Sequence, residues 1–153
     1  MKNLLLGVAL ALAAYFIAFP GPGTSNRLDL SGNPERATAT DARADAALEH
    51  AYVNRLSNQQ LAGEGTVAKV LPDDDKGSRH QRFILKLASG RTLLVAHNID
   101  LAPRVDNLRE GDAVAVYGEY EWNEKGGVMH WTHHDPQRRH IGGWVKHNGR
   151  TYQ

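Results

Sequence analysis

Apolar residues run without a charge from Leu4 to Phe19, behind a single basic residue, Lys2. At ~1.5 Å per residue that run makes roughly 24 Å of helix, a little short of a ~30 Å hydrocarbon core. A basic start followed by a compact apolar stretch predicts a signal peptide or an uncleaved membrane anchor over residues 1–20. The Ala11-Leu12-Ala13 pattern would leave Tyr15–Phe19 on a cleaved chain, and no small-x-small site lies near Pro20. Lys2 on the cytoplasmic side places the rest outside in either case. The expected location is therefore the periplasm, either soluble after cleavage or held at the inner membrane by the uncleaved segment. Residues 21–40 are rich in Gly, Pro, Ser, Asn and Thr and read as a flexible linker. Ala44, Ala47, Leu48, Ala51, Tyr52 and Leu56 then recur at helical spacing, which predicts an amphipathic helix over 41–56 with Asp41 as its cap.

Beyond Gln60 the period changes to two. Strands are expected at Leu61–Leu71, Gln81–Leu87, Arg91–His97, Ala113–Trp122 and Val128–His133. Phe83, Leu85 and Leu87 alternate against Arg82 and Lys86, Ser89-Gly90 marks a tight turn, and the Pro103-containing stretch 98–110 is a connector. Residues 137–153 read as a loop-like tail in which Gly142-Gly143-Trp144 packs back on the strands. Five short strands in this order predict a mainly β domain over 41–153: a small five-stranded antiparallel barrel, preceded by one helix and the N-terminal hydrophobic segment. The phrases Gly63–Val70 and Leu108–Gly118 resemble the first and fourth strands of oligonucleotide/oligosaccharide-binding (OB) folds. An open five-stranded meander is the alternative. The stretch 98–110 leaves little room for the helix such folds carry there, so the N-terminal helix is expected to cover the barrel end.

Composition narrows the chemistry. The chain has no cysteine, which excludes disulfides, thiolate metal sites, a cysteine nucleophile and a lipid anchor on cysteine. Without Lys2 the basic and acidic residues balance, so there is no strong nucleic-acid footprint. Asp73–Asp75 reads as a solvated turn without the spaced ligands of a calcium loop. Trp122, Trp131 and Trp144 read as packing residues, and His50 and His147 as ordinary surface or packing histidines.

The histidines are the unusual feature, with eight in the chain and most of them between His80 and His147. A two-residue Ser89-Gly90 loop would set Arg82 opposite His97 and His80 opposite Ile99, so that His80, Arg82 and His97 share the outer face of the hairpin. In a fifth strand ending near His133, His130 and Thr132 share one face, while Met129, Trp131 and His133 share the other. Imidazole and carboxylate together are ligands for zinc, copper or nickel where thiolate is absent. The candidate metal ligands are His97, His133, His134 and Asp135, for a divalent ion such as zinc. The candidate catalytic groups are His80, His97, Arg82 and Glu121, with Glu119 as a second acid/base candidate. Gln81, Asn98, Asp100, Arg104, His130 and Trp131 are candidate ligand-binding residues, with Arg82 and Arg104 holding an anion. Ser78 has no base and orienter beside it in the pattern, which argues against a serine hydrolase.

Leu71-Pro-Asp-Asp74, Gly77–Phe83, His97–Arg104, Gly118–Asn123, Gly126–Pro136 and Gly142-Gly-Trp144 resemble a proteobacterial family of exported proteins, domain of unknown function 3465. The resemblance covers about 63–153. It implies the domain limits and export, and it brings no activity or catalytic residues. Three functions are therefore carried forward. The first is a metal-assisted hydrolase for an anionic, phosphodiester-type bond in a small molecule or polymer. The second is a non-catalytic module for a glycan, nucleotide or peptide, and the third is metal handling. Oligomeric state is not legible in the sequence.

Overall fold

A computed structural model describes residues 34–153. The signal or anchor expected over 1–20, and the linker as far as residue 33, lie outside the described residues. Helix α1 spans Pro34–Val53, so the end of the expected linker is helical and Asp41 lies inside the helix instead of capping it. Pro34 suits a first turn, because its φ is fixed near the helical value and its missing N–H would be unpaired there anyway. The helix stops at a left-handed residue, Arg55, with φ 53°. Arg55 N donates to Tyr52 O and Leu56 N to Ala51 O, the paired pattern of a Schellman stop, and Leu56 packs against the core. No helix among the described residues is long and apolar enough to cross a membrane.

Seven strands follow: β1 Gln59–Asp74, β2 His80–Leu87, β3 Thr92–Asn98, β4 Ala113–Glu121, β5 Val128–His130, β6 Trp144–His147 and β7 Arg150–Tyr152. They form one sheet of mixed orientation, in the order β1-β2-β3-β5-β4-β6-β7. The expectation of five antiparallel strands is corrected in two ways. β3 and β5 run parallel, and the tail holds two further strands. The tail hairpin turns on Asn148 (φ 48°) and Gly149 (φ 75°), the two left-handed residues of a tight turn that Asn-Gly favours. Trp144, at the start of β6, stacks on Tyr117 with centroids 5.9 Å apart.

β1 is long enough to serve two neighbours. Its first half pairs with β4, from Gln59↔Tyr120 to Thr66↔Ala113, and its second half pairs with β2, from Gly65↔Leu87 to Asp74↔His80. The pairings β1–β2–β3–β5–β4–β1 therefore return to their starting strand. The residues facing inward include Val67, Phe83, Leu85, Leu93, Val116 and Met129, each at most 1% exposed. Leu48 and Ala51 of α1 complete this core in place of a helix between β3 and β4. Arg91 holds the helix to the β2–β3 hairpin with two bonds to Glu49, of 2.7 and 2.6 Å, and lies over the Tyr52 ring.

One register shift matters for everything downstream. The β2–β3 loop has three residues, Ala88–Gly90, closed by Leu87 N to Arg91 O and by Gly90 N to Leu87 O. Gln81 consequently faces His97, Arg82 faces Ala96 and His80 faces Asn98. A slip of one residue turns a side chain to the other face. His97 is thus inside with Gln81, while His80 and Arg82 remain outside, which corrects the expected grouping of the three on one face.

Candidate functional site

The end of the sheet where β2 begins and β3 and β5 finish carries a pocket of about 310 Å³, lined by Ser78, His80, Asn98, Leu101, His130, Trp131 and His133. Three of the sequence regions singled out for their histidines meet here. A larger recess of about 580 Å³ lies beside α1, is lined mostly by small and aliphatic groups, and has no histidine in its wall.

The chain reaches the pocket through a break in alternation. β5 ends at His130 because Trp131 adopts φ 52°, a left-handed conformation unusual for a bulky side chain. The break turns Thr132 and His133 inward, where they are 0% and 3% exposed, instead of continuing the strand expected to reach His133. Thr132 meets His97 beneath the pocket floor. His97 Nε2 lies 3.1 Å from Pro103 O, and Nδ1 lies 2.9 Å from Thr132 Oγ1. A carbonyl can only accept, so Nε2 carries the proton and Nδ1 accepts from the Thr132 hydroxyl. Burial holds the His97 pKa below its usual value and keeps the ring neutral. With both nitrogens engaged, His97 is a buried structural link between β3, the connector and the pocket loop.

The other expected ligands are also accounted for. His133 Nδ1 donates to His134 O at 2.8 Å and its ring faces Trp131, while His134 is exposed. Asp135 accepts three backbone N–H groups, from Gln137, Arg139 and His140, at 2.7–2.9 Å. His97, His133, His134 and Asp135 therefore do not gather as one metal site. Gln81 is buried and clasps Val105 with both ends of its amide. Asn98 reaches the pocket while accepting from Asp100 N. The arginines expected to hold an anion are occupied. Arg104 pairs with Asp73, and Arg82 donates to Pro72 O and lies 3.9 Å from Asp74; the neighbouring Arg79 is also engaged, with Asp100 at 2.8 Å. Asp100 and Asp73 have depressed pKa values, chiefly from the hydrogen bonds of Arg79 and Arg104 respectively.

Asp135 gives the loop a pH dependence. Its carboxyl is held below the usual carboxylate pKa, first by the Gln137 N–H, against the opposing effect of burial, with the Arg139 and His140 N–H groups adding to the shift. The stabilisation is complete above the unfolded carboxyl value of ~3.9 and is lost as pH falls through the lower folded value. Asp135→Ala is expected to raise amide exchange at residues 137–140 at neutral pH, with the core strands unchanged. Unchanged protection at those amides would remove Asp135 from this role.

A second cluster adjoins the pocket on the outer face. Glu119 and Glu121 stand two apart on β4, so they share a face, and His130 of β5 lies directly opposite Glu119. One ligand atom from each of Glu119, Glu121 and His130 lies within 4.8 Å of the others, the one such group among the described residues. His130 Nε2 is 3.5 Å from a Glu119 oxygen, is shielded from solvent and has no hydrogen-bond partner. Burial lowers the His130 pKa, although Glu119 and Glu121 oppose this, so the ring favours its neutral form. Gln60, the cross-strand neighbour of Glu119 on its other side, also has a buried amide nitrogen without a partner. Period-two spacing made Glu119 and Glu121 visible in the sequence. The pairing of His130 with Glu119 depends on the register of the β4–β5 hairpin, which the turn residues Glu124–Gly127 did not fix.

The family model for a protein of unknown function (DUF3465) matches residues 35–153. The chain belongs to that family. No curated protein matches it at a significant level.

Proposed function

We propose, for this member of a family without an assigned activity, an exported OB-like barrel that binds a divalent metal ion and presents it beside a small polar pocket. The closed circuit of pairings, with the helix packed into the core, supports the barrel reading. The apolar run in residues 4–19 supports export, with an inner-membrane attachment if that segment stays on the chain.

The observation that carries the metal site is the shielded, unpartnered His130 Nε2 aimed beside the Glu119 carboxylate. Buried polar atoms normally find partners, and a neutral imidazole beside two carboxylates is a metal ligand set. Glu119, Glu121 and His130 would hold an ion such as zinc, and three protein ligands leave a position for water or a bound molecule. His130 also lines the pocket, so a ligand there would contact the metal's own imidazole. With Arg79, Arg82 and Arg104 engaged elsewhere, a neutral polar ligand of glycan, nucleoside or peptide type fits this pocket better than a phosphodiester.

A second reading, metal-assisted hydrolysis, is favoured by one feature. His80 stands on the pocket wall, where it could act as a general base toward a metal-activated water.

Metal content and calorimetric affinity for zinc and manganese test the proposal, on wild type, His130→Ala, Glu121→Gln and the exposed control His134→Ala. Stoichiometric metal is expected in wild type, with affinity at least about tenfold weaker in the first two variants, as loss of a ligand should exceed loss of a supporting bond. The control should match wild type. A wild type without stoichiometric metal sinks the reading.

A further inference from the structure

The segment between β5 and β6, residues 131–143, returns to the sheet beside Glu119 and delivers a residue that the sequence pattern left in the tail. His140 Nε2 lies 2.5 Å from the second Glu119 oxygen, the one not facing His130. Its Nδ1 donates to Ile141 O at 2.8 Å and its Nε2 donates to the Glu119 carboxylate, which can only accept, so a bound ion would take the place of the Nε2 proton. A backbone carbonyl that fixes one ring nitrogen and frees the other for the ion is the usual support of a metal-bound histidine. The ring is also held in plane, stacked on Trp131 with centroids 4.2 Å apart and 9° between planes. Asp135 anchors the His140 backbone from below through its N–H.

We propose that His140 is the fourth ligand of the Glu119, Glu121 and His130 site, and that metal loading thereby sets the position of the Trp131 wall of the pocket. This rests on the metal reading above. The set is then two imidazoles and two carboxylates, drawn from β4, β5 and the returning loop; it fills the position that three ligands alone would leave open, so the ion holds the loop and the hydrolytic reading is set aside. Two ligands at ~2.0–2.1 Å from a tetrahedral ion lie roughly 3.3 Å apart. The His140–Glu119 pair must therefore open by roughly 0.8 Å to admit the ion, and His140, which stands outside the group whose ligand atoms lie within 4.8 Å of one another, must close on His130 and Glu121. The His140 ring moves with it, and Trp131, stacked on that ring, follows. Since Trp131 lines the pocket, ion occupancy and pocket shape are linked by one aromatic contact. His134, by contrast, is adjacent in the loop but exposed, and takes no part.

Copper(II) is the probe, added in substoichiometric amount to the full chain. Electron paramagnetic resonance counts the imidazole nitrogens bound to it, which a merely structural role for His140 would not change. Two nitrogens are expected in wild type, and one in His140→Ala with weaker but retained binding. Zinc is expected to change the tryptophan fluorescence of wild type but not of His140→Ala, and Trp131→Phe, which leaves only Trp122 and Trp144, should lose the change, assigning it to Trp131. Circular dichroism of His140→Ala confirms that the variant is folded. A single nitrogen in wild type, or two nitrogens persisting in His140→Ala, overturns the role of His140 and leaves the three-ligand site standing. Absence of stoichiometric metal in wild type overturns both.

Discussion

Gly118→Ala is expected to destabilise the fold by about 3 kcal/mol, the upper end for an overpacked site. A Cβ on Gly118 would lie 2.3 Å from His130 O and 2.9 Å from Thr132 Cγ2. The first of these is a backbone atom held in the β4–β5 ladder, so it cannot swing away as a side-chain tip would. Relief requires β5 to leave β4, and β5 has only three residues. The lost pairing carries His130 away from Glu119, so metal affinity should fall along with stability. Urea denaturation reads the first effect and calorimetry the second. Ala113→Ser, exposed at the start of the same strand, is the control and should shift stability by less than about 0.5 kcal/mol. An unchanged midpoint for Gly118→Ala would show that β5 is free to move, and would undo the geometry assigned to the cluster.

His97→Leu carries the second large effect. Leucine keeps most of the volume but strands the Thr132 hydroxyl and the Pro103 carbonyl, at a cost of about 2–3 kcal/mol. Thr132→Val alone should cost less, because only one ring nitrogen loses its partner. The double variant should be less destabilised than the sum of the two, since removing both ends of a buried bond leaves nothing unpaired between them. Acid adds a separate signature. The folded His97 pKa is depressed by burial, so its contribution is complete above the unfolded value of ~6.5 and declines as pH falls below it. Wild type should lose stability between pH 6.5 and 5 more steeply than His97→Leu. Equal slopes would mean that His97 is not kept neutral by the fold. Strict additivity would mean that His97 and Thr132 do not act as a pair.

What was legible in the sequence depended on how local its cause was. Phe83, Leu85 and Leu87 face the core as their alternation requires, because a half-buried strand permits little else. Ser89-Gly90 marked the right turn, but nothing local showed that Ala88 also belongs to the loop. That one residue decided which way His97 points. Asn148-Gly149 is a strong hairpin signal, yet the strands it joins have only four and three residues, too short to show a period. Trp131 ends β5 through a left-handed backbone that its residue type does not favour, so no reading of pattern would place Thr132 inside. His140 was the least visible. Its partner Glu119 is 21 residues away, and the contact exists only because Asp135 and Gly143 shape the chain between them. A carbon on Gly143 would meet the backbone oxygens of both Trp131 and Tyr117.

β4 offers one edge to two separate partners, β5 along Glu119–Glu121 and β6 along Val114–Tyr117. The chain that joins those partners sets no strand register of its own. Inheritance can therefore act on it unevenly. Thr132, Asp135 and Gly143 are pinned by what surrounds them, whereas Pro136–Arg139 are exposed and are held to Asp135 through backbone N–H groups that most side chains would leave in place. A lineage can rewrite that short exposed stretch, and with it the approach to the pocket, while the scaffold beneath stays the same.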